Sequence, residues 1–394
     1  MNTLLFLQTR NNNNKKHMKQ NTRTILLAAL FCTGLFSASA ADNAIPTKPV
    51  DPQANSQTLA IYDFLYSNYG RQTITCSMAQ PVWDTDNAQA VHTLTQQWPA
   101  MHCFDLMHLC YSPSNWINYG DLTPVKQWHQ QGGKVVLMWH WQVPKQQGST
   151  EYTSTASLTT FSPANINTEG SWEHQQFYAD LWEAYAVVRD LQEAGISVIW
   201  RPLHEAAGNV PNGGTAWFWW GKDGADTFKQ LWRRIFDYFR DGGIHNVIWV
   251  WTSCDADSDW YPGDDYVDIV GTDSYKTDVA TLKSRYQQLQ ERYPNRMLAL
   301  TECGQVPAVS AQQQQGIYWS WAMPWYGSDD NNTPWVSDAW WQDAVSSYAT
   351  GIHAAPAAAQ PVPTAAWSLD GRPATGRGIR IVRMSDGTVR KVVH

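Results

Sequence analysis

The chain has 394 residues, a formal charge of −7, 43% hydrophobic residues and only 16% charged ones. That length suits one large domain or two ordinary ones, and the apolar share excludes a largely disordered chain. The acidic balance offers no basic stripe to displace phosphate counterions, which excludes a dedicated nucleic-acid binder.

Residues 1–40 are set apart from the rest. Lys15, Lys16, Lys19 and Arg23 precede an apolar stretch over 25–36, which gives way to Ala38-Ser-Ala40. This is the pattern of a secretory signal peptide, too short for a permanent membrane span, so no stable membrane insertion is expected. Met18 supplies a more conventional start. Phe31 stands before Cys32, where lipoprotein cleavage needs a small residue, and this argues against a lipid anchor. Cleavage would remove five basic residues and no acids, moving the formal charge from −7 to −12. The expected location is outside the cell, or the periplasm or cell surface of a Gram-negative bacterium.

Five cysteines then remain, an odd number that leaves at least one unpaired within the chain. Cys103 and Cys110 are spaced to close a small loop, although spacing alone does not fix pairing. Zinc-type C-x-x-C pairs are absent. The 23 tryptophans exceed what a core of this size needs. Packing is expected to take about half of them, since Trp burial is usually intermediate, leaving flat faces for sugar rings.

Residues 41–58 are polar and carry prolines, which reads as a linker. Helical spacing over 59–69 stops at Gly70. Short apolar runs then recur at 73–77, 102–106, 134–141, 197–203, 246–252, 267–271, 297–301 and 317–323. Amphipathic stretches separate them at 86–97, 123–131, 173–194, 225–241, 280–293 and 338–350, with the fifth and seventh intervals least clearly helical. Eight strands alternating with helices predict an α/β fold, a (β/α)8 TIM barrel over 59–350. The rival doubly wound sheet brings a glycine-rich turn after its first strand, and Thr75-Cys-Ser-Met-Ala-Gln80 is not one. Residues 351–366 are Ala/Pro-rich, a semi-rigid spacer. The tail 367–394 has Asp386-Gly387 between alternating runs, a β-hairpin signal. It resembles short C-terminal secretion-sorting segments of exported hydrolases from Bacteroidota-type bacteria; the alternative is a hairpin packed on the barrel.

In a barrel of this kind the residues at C-terminal strand ends face the active site. Glu205 closes Trp200-Arg-Pro-Leu-His-Glu205 after the fourth strand, and Glu302 stands in Thr301-Glu-Cys-Gly304 at the seventh, 97 residues further on. Asp273 follows the sixth strand and Asp105 closes the second. A single acid at a strand end is as easily a loop anchor as a catalyst. Two glutamates flanked by Arg201, His204, Tyr275 and tryptophans make the anchoring account the weaker one. Two facing carboxyls serve glycoside hydrolysis, one protonating the leaving oxygen while the other attacks, and a separation of about 5–5.5 Å means retention. Arg201 and Tyr275 suit an ionised Glu302, while an aromatic wall and the charge of Glu302 suit a protonated Glu205. His140, after the third strand, is either a substrate contact or a structural histidine. Trp217-Phe-Trp-Trp-Gly221 is an aromatic cluster near Glu205.

Competing motifs fail. His204-Glu-Ala-Ala-Gly208 has glycine where a zinc protease needs its second histidine. Asp255, Asp257 and Asp259 begin like a calcium loop, but Trp260 replaces its glycine and Tyr266 its bidentate acid. No G-x-S-x-G elbow occurs. No cofactor and no metal are expected.

The motif series resembles glycoside hydrolase family 26: Trp200-Arg-Pro-Leu-His-Glu205, Trp217-Phe-Trp-Trp-Gly221, Thr272-Asp-Ser-Tyr275, Thr301-Glu-Cys-Gly304 and Met323-Pro-Trp325, all in family order over about 59–350. The resemblance implies a retaining double displacement with Glu205 as acid/base and Glu302 as nucleophile. It makes Tyr275 the hydrogen-bond partner of the nucleophile and His204 a positioner of sugar and acid. His140, Arg201, Trp217, Asp273 and Trp325 fall on substrate-site positions, with Trp325 as the sugar floor. The stretch 206–216 is longer and richer in glycine than the family pattern. The expected partner is a β-mannan polysaccharide and the expected state a monomer. The activity implied is a secreted endo-β-1,4-mannanase. Its rivals are a mixed-linkage β-glucanase, a β-1,3-xylanase, an exo-acting mannobiose-releasing form and a non-catalytic polysaccharide-binding barrel.

Overall fold

The computed structural model describes residues 44–80, 83–110, 117–327 and 334–347, and three strands over 363–368, 379–384 and 389–393. Eight parallel strands close a barrel: β1 (Ile74–Met78), β2 (Met101–Asp105), β3 (Lys134–Trp139), β4 (Val198–Pro202), β5 (Val247–Ser253), β6 (Ile269–Tyr275), β7 (Met297–Gly304) and β8 (Trp321–Pro324). Every strand pairs with its sequence neighbours, and β8 pairs with β1. Before the barrel lies α1 (Ser56–Asn68); α2 (Asp86–Thr95), α3 (Thr123–Gln130), α4 (Trp172–Glu193) and α5 (Ala225–Asp241) follow β1 to β4. After β6, β7 and β8 come α6 (Val279–Arg292), α7 (Val309–Gln314) and α8 (Asp338–Ser347). The unclear fifth interval holds two short 3-10 turns, Ser258–Trp260 and Asp264–Tyr266.

The helices follow from pattern and caps. In α5, Phe228, Leu231, Trp232, Ile235, Phe236 and Phe239 recur at helical spacing and are all buried. Side chains of Asn55, Ser171 and Asp278 accept backbone N–H groups at the starts of α1, α4 and α6.

Strand alternation separates two cores. Ile74, Cys76, Met78, Met101, Cys103, Val136, Met138, Ile199, Val250, Ile269, Met297 and Trp321 fill the barrel interior. Their neighbours, including Phe104, Leu137, Trp200, Trp249 and Leu298, pack under the helices. Among the described residues sixteen tryptophans are buried, so packing takes more than the expected half of the 23. The surplus lies in the helix–strand layer, where indoles fill wide gaps. All five described cysteines are free, and the loop expected from Cys103 and Cys110 is not closed. Cys103 lies in the barrel interior, whereas Cys110 faces α4, its thiol 3.9 Å from the Asp180 carbonyl.

Three other expectations need correction or fall outside the described residues. The stretch read as a linker is built into the N-terminal mouth of the barrel over 44–55. There Val50 N–H donates to Asp268 at 2.6 Å, Asp51 pairs with His245 at 2.8 Å, and Pro46 O accepts the Tyr62 hydroxyl at 2.9 Å. Its polar residues satisfy strand ends instead of spanning solvent. The tail forms a three-stranded antiparallel sheet, β9 (Pro363–Ser368), β10 (Ile379–Met384) and β11 (Val389–Val393), so a strand begins inside the stretch read as a spacer. Pro363 is tolerated because it opens an edge strand. The signal segment, residues 351–362 and the Asp386-Gly387 turn lie outside the described residues.

Candidate active site

At the C-terminal mouth the inward positions turn polar. Asp105, Arg201, Thr252 and Asp273 continue the interior rows of β2, β4, β5 and β6, while His140 and Trp325 follow directly on β3 and β8. Arg201 is the hub, 1% exposed. Its Nη1 donates to Glu302 Oε1 at 2.6 Å, its Nη2 to Asp273 Oδ2 at 2.5 Å and its Nε to Thr252 Oγ1 at 2.8 Å. Burial alone would weaken its charge, but Asp273 and Glu302 outweigh that and hold the guanidinium protonated.

Glu302 receives a second donor, the Tyr275 hydroxyl, at 2.8 Å on Oε2. Burial and the Glu302 charge push that phenol far above its ordinary range, so it remains a donor. Both oxygens of Glu302 are therefore fixed by donors, the arrangement of an ionised carboxylate.

A bulge in β7 makes this meeting possible. Thr272 pairs with Leu300, but Asp273 pairs with Glu302, so Thr301 is an extra residue. The shift to β8 falls at the same place, with Ala322 opposite Leu300 and Pro324 opposite Cys303. The extra residue turns Glu302 inward beside Asp273, as bulges at barrel rims do. Thr301 Oγ1 donates to Asp273 Oδ1 at 2.7 Å. Gly271 leaves room for it: a Cβ there would stand 2.5 Å from Thr301 Cγ2.

Glu205 stands outside the strand register. Pro202 ends β4, and Leu203 and Glu205 both adopt φ of 51°, a left-handed backbone that costs a non-glycine residue about 1–2 kcal/mol. These turns bring the half-buried Glu205 carboxyl to Asp273, with which it shares a hydrogen bond. Burial first, then the charges of Asp273 and Glu302, push the Glu205 carboxyl well above its usual range. Burial also pushes Asp273 up, to about 7, against the lowering pull of Arg201, so the hydrogen bond joins two carboxyls that both favour a proton.

The walls are aromatic. Asp105 fixes His140 through Nδ1 at 2.6 Å and through the backbone N–H at 3.1 Å. His204 is buried and meets His140 edge-on at 4.3 Å and Phe218 at 4.8 Å; burial keeps it neutral. Trp325 tilts against His140 at 5.6 Å. The aromatic cluster divides in two. Trp219 and Trp220 are fully buried and donate to Trp141 O and His204 O, while Phe218 stacks on Trp220 at 4.4 Å. Trp217 is 41% exposed and lines a recess with Glu205, Asn209, Asn212, Asp255 and Arg285. The long stretch 206–216 folds back to place it, because Gly208 leaves no Cβ to strike Trp217 N at 2.8 Å.

Thus all nine expected site residues lie around one mouth. Asp105, Thr252, Thr301 and Phe218 join them without having been selected from sequence. Asp105 was visible as a strand-end acid, and Thr252 was detectable as a polar break in an inward row.

A (β/α)8 barrel with two glutamates and an arginine at its C-terminal rim defines a class, the barrel-type glycosidases. The profile of glycosyl hydrolase family 26 matches residues 50–343, and the chain belongs to that family. It is 32% identical over 300 residues to a mannan endo-1,4-beta-mannosidase of Thermothelomyces thermophilus, covering 73% of this chain and 58% of the relative. Mannan endo-1,4-beta-mannosidase A of Piromyces is 28% identical over 291 residues, 70% of this chain and 45% of that protein. The chain therefore spans about half the length of the curated relatives it matches. Among solved structures, the GH26 domain of the endo-beta-mannanase/endo-beta-glucanase from Prevotella bryantii is 40% identical with a TM-score of 0.71, covering 76% of this chain and 96% of that one. The beta-mannanase from a symbiotic protist of the termite Reticulitermes speratus, complexed with gluco-manno-oligosaccharide, is 32% identical with a TM-score of 0.67, covering 77% and 95%.

Proposed function

We propose that the protein is a secreted, retaining endo-β-1,4-mannanase that cuts internal bonds of mannan, galactomannan or glucomannan. The observation that carries this reading is the arrangement around Arg201: Glu302 accepts from Arg201 and Tyr275 at its two oxygens, and the Glu205 carboxyl, pushed up chiefly by burial, stands beside Asp273. Glu302 attacks the anomeric carbon while Glu205 protonates the departing oxygen, and a glycosyl ester forms. The ester removes the charge of Glu302, the pKa of Glu205 falls, and Glu205 takes the proton of the incoming water. His140, His204 and Trp325 bound the sugar site, and Trp217 extends the cleft. Mannan is favoured as substrate because relatives named for an activity on it match 73% and 70% of this chain. Export is favoured by the N-terminal pattern, with the tail as a sorting segment.

Product analysis on a panel of soluble β-glycans tests this. Mannan is expected to yield oligosaccharides released first as the β anomer by proton NMR. Glu205→Ala should lower kcat by about 10²–10⁴-fold, and Glu302→Ala by at least about 10⁴-fold. Cleavage of mixed-linkage glucan with mannan untouched would overturn the substrate, and unimpaired variants would overturn the mechanism.

A further inference from the structure

Among the described residues two tryptophans are more than a third exposed: Trp217 at the cleft, and Trp182, at 49%, on α4. Trp182 is not alone. Tyr178, Trp182 and Tyr185 stand at i, i+4 and i+7 on α4, on a stripe separate from the buried one of Phe177, Leu181, Ala184 and Val188. With Tyr238 of α5 they wall an open recess of about 380 Å³, within the size range of ligand sites. None of these residues borders the recess beside Glu205.

We propose that this flank recess is a second carbohydrate site, which holds a neutral β-linked hexose chain of the kind the cleft cuts. It rests on the polysaccharide reading of that cleft. The aromatic faces are held in fixed orientations. Trp182 stacks on Tyr185 at 5.5 Å and 21°, and Tyr185 locks its hydroxyl on Gly242 O at 2.6 Å. Tyr238 meets Tyr185 edge-on at 5.7 Å and Tyr178 at 6.0 Å. Trp182 also has the Arg189 guanidinium over it, at 5.9 Å from the ring centroid, and the half of its surface left exposed offers the flat apolar patch on which a pyranose ring stacks. The rim supplies polar groups for hydroxyls through Arg234, Asp237 and Asp241.

An aromatic recess also suits an alkylammonium ion, and charge decides between the two. Asp237 and Asp241 are both paired with Arg240, at 3.0 and 2.9 Å, and Arg234 adds a further positive group. No net negative charge is left to hold a cation. A neutral polyol fits.

The test compares wild type with Trp182→Ala, Trp182→Phe and Arg234→Ala, the last leaving the aromatic packing untouched. Each is assayed on soluble mannopentaose and on washed insoluble mannan, with retention on the insoluble material measured by sedimentation. Trp182→Ala and Arg234→Ala are expected to match wild type on mannopentaose within twofold, and to lose three- to tenfold in activity and retention on insoluble mannan. Trp182→Phe should restore at least half. Equal rates and retention for all variants, or parallel losses on both substrates, would overturn the site. So would a wild-type dimer converted to monomer by Trp182→Ala in sedimentation velocity, because the face would then join copies of the chain. Wild type that leaves mannan uncut while cutting another β-glycan refutes the mannanase reading alone; the same paired assays on that glycan then decide the flank site.

Discussion

In the proposed reaction Glu205 has to hold a proton at a pH where an exposed glutamate has lost its own. Burial supplies most of the shift, and Asp273 and Glu302 add to it. Asp273 therefore does two things: it accepts from Arg201 at 2.5 Å and it stabilises the protonated form of Glu205. Asp273→Asn removes one negative charge from beside the acid, so the pKa of Glu205 falls and its proton is lost at lower pH. The alkaline limb of the kcat/KM profile is expected to move down by about one pH unit. The pH–rate profile of the variant checks this. An alkaline limb left in place would mean that burial and Glu302 alone set the pKa. Part of this was legible in the sequence: the identities of the two glutamates, Arg201 and Tyr275 came from strand ends. Their pairing did not, since which donor meets which oxygen depends on depths within the barrel that no spacing encodes.

At the scale of the strand, one rule explains most of the site. Inward positions alternate along β2, β4, β5 and β6, and the last inward residues are Asp105, Arg201, Thr252 and Asp273. The strand ends were legible in the sequence, which placed Asp105, Arg201 and Asp273 at the rim but not Thr252. The two catalytic candidates break that rule. Glu205 lies past the strand on a left-handed backbone, and Glu302 is out of phase because Thr301 is an extra residue in β7. Bulges and left-handed turns at non-glycine residues leave no compositional mark, which is why the strand ends revealed these residues while their exact placement stayed hidden. The bulge depends on Gly271, whose missing Cβ makes room for Thr301. Gly271→Ala forces the two apart and should destabilise the fold by about 1–3 kcal/mol. It should also lower kcat, because Thr301, Asp273 and Glu302 move together. Chemical denaturation and steady-state kinetics on the same preparation check the pair of effects. Lost stability with kcat intact would show that the bulge shapes the core but not the site.

The whole molecule keeps chemistry and closure at opposite mouths of the barrel. The C-terminal mouth carries buried charges and strained backbone, and the N-terminal mouth is sealed by residues 44–55. That seal was not legible, because a polar, proline-bearing segment looks the same whether it crosses solvent or satisfies buried strand ends. The decisive contact is with Asp268, a buried carboxyl 2% exposed whose pKa burial raises to about 7. It accepts Trp249 N–H at 2.7 Å and Val50 N–H at 2.6 Å. A chain beginning at Asn55 keeps the cap of α1 but loses the Val50 donor, the Asp51–His245 pair and the Pro46–Tyr62 bond. Leaving Asp268 short of a donor should lower stability by about 2–4 kcal/mol. Because the proton on Asp268 favours the folded state, its contribution is full below the ordinary aspartate range and declines as pH rises toward about 7. The proposed mannan hydrolysis should stay within twofold of the full chain at room temperature, since the contacts of the seal lie at the mouth opposite the cleft. Thermal unfolding at pH 5 and pH 8, run beside the activity assay, separates the two mouths. A truncation that cut kcat without lowering the unfolding temperature would mean that the seal acts on the cleft and not on the fold.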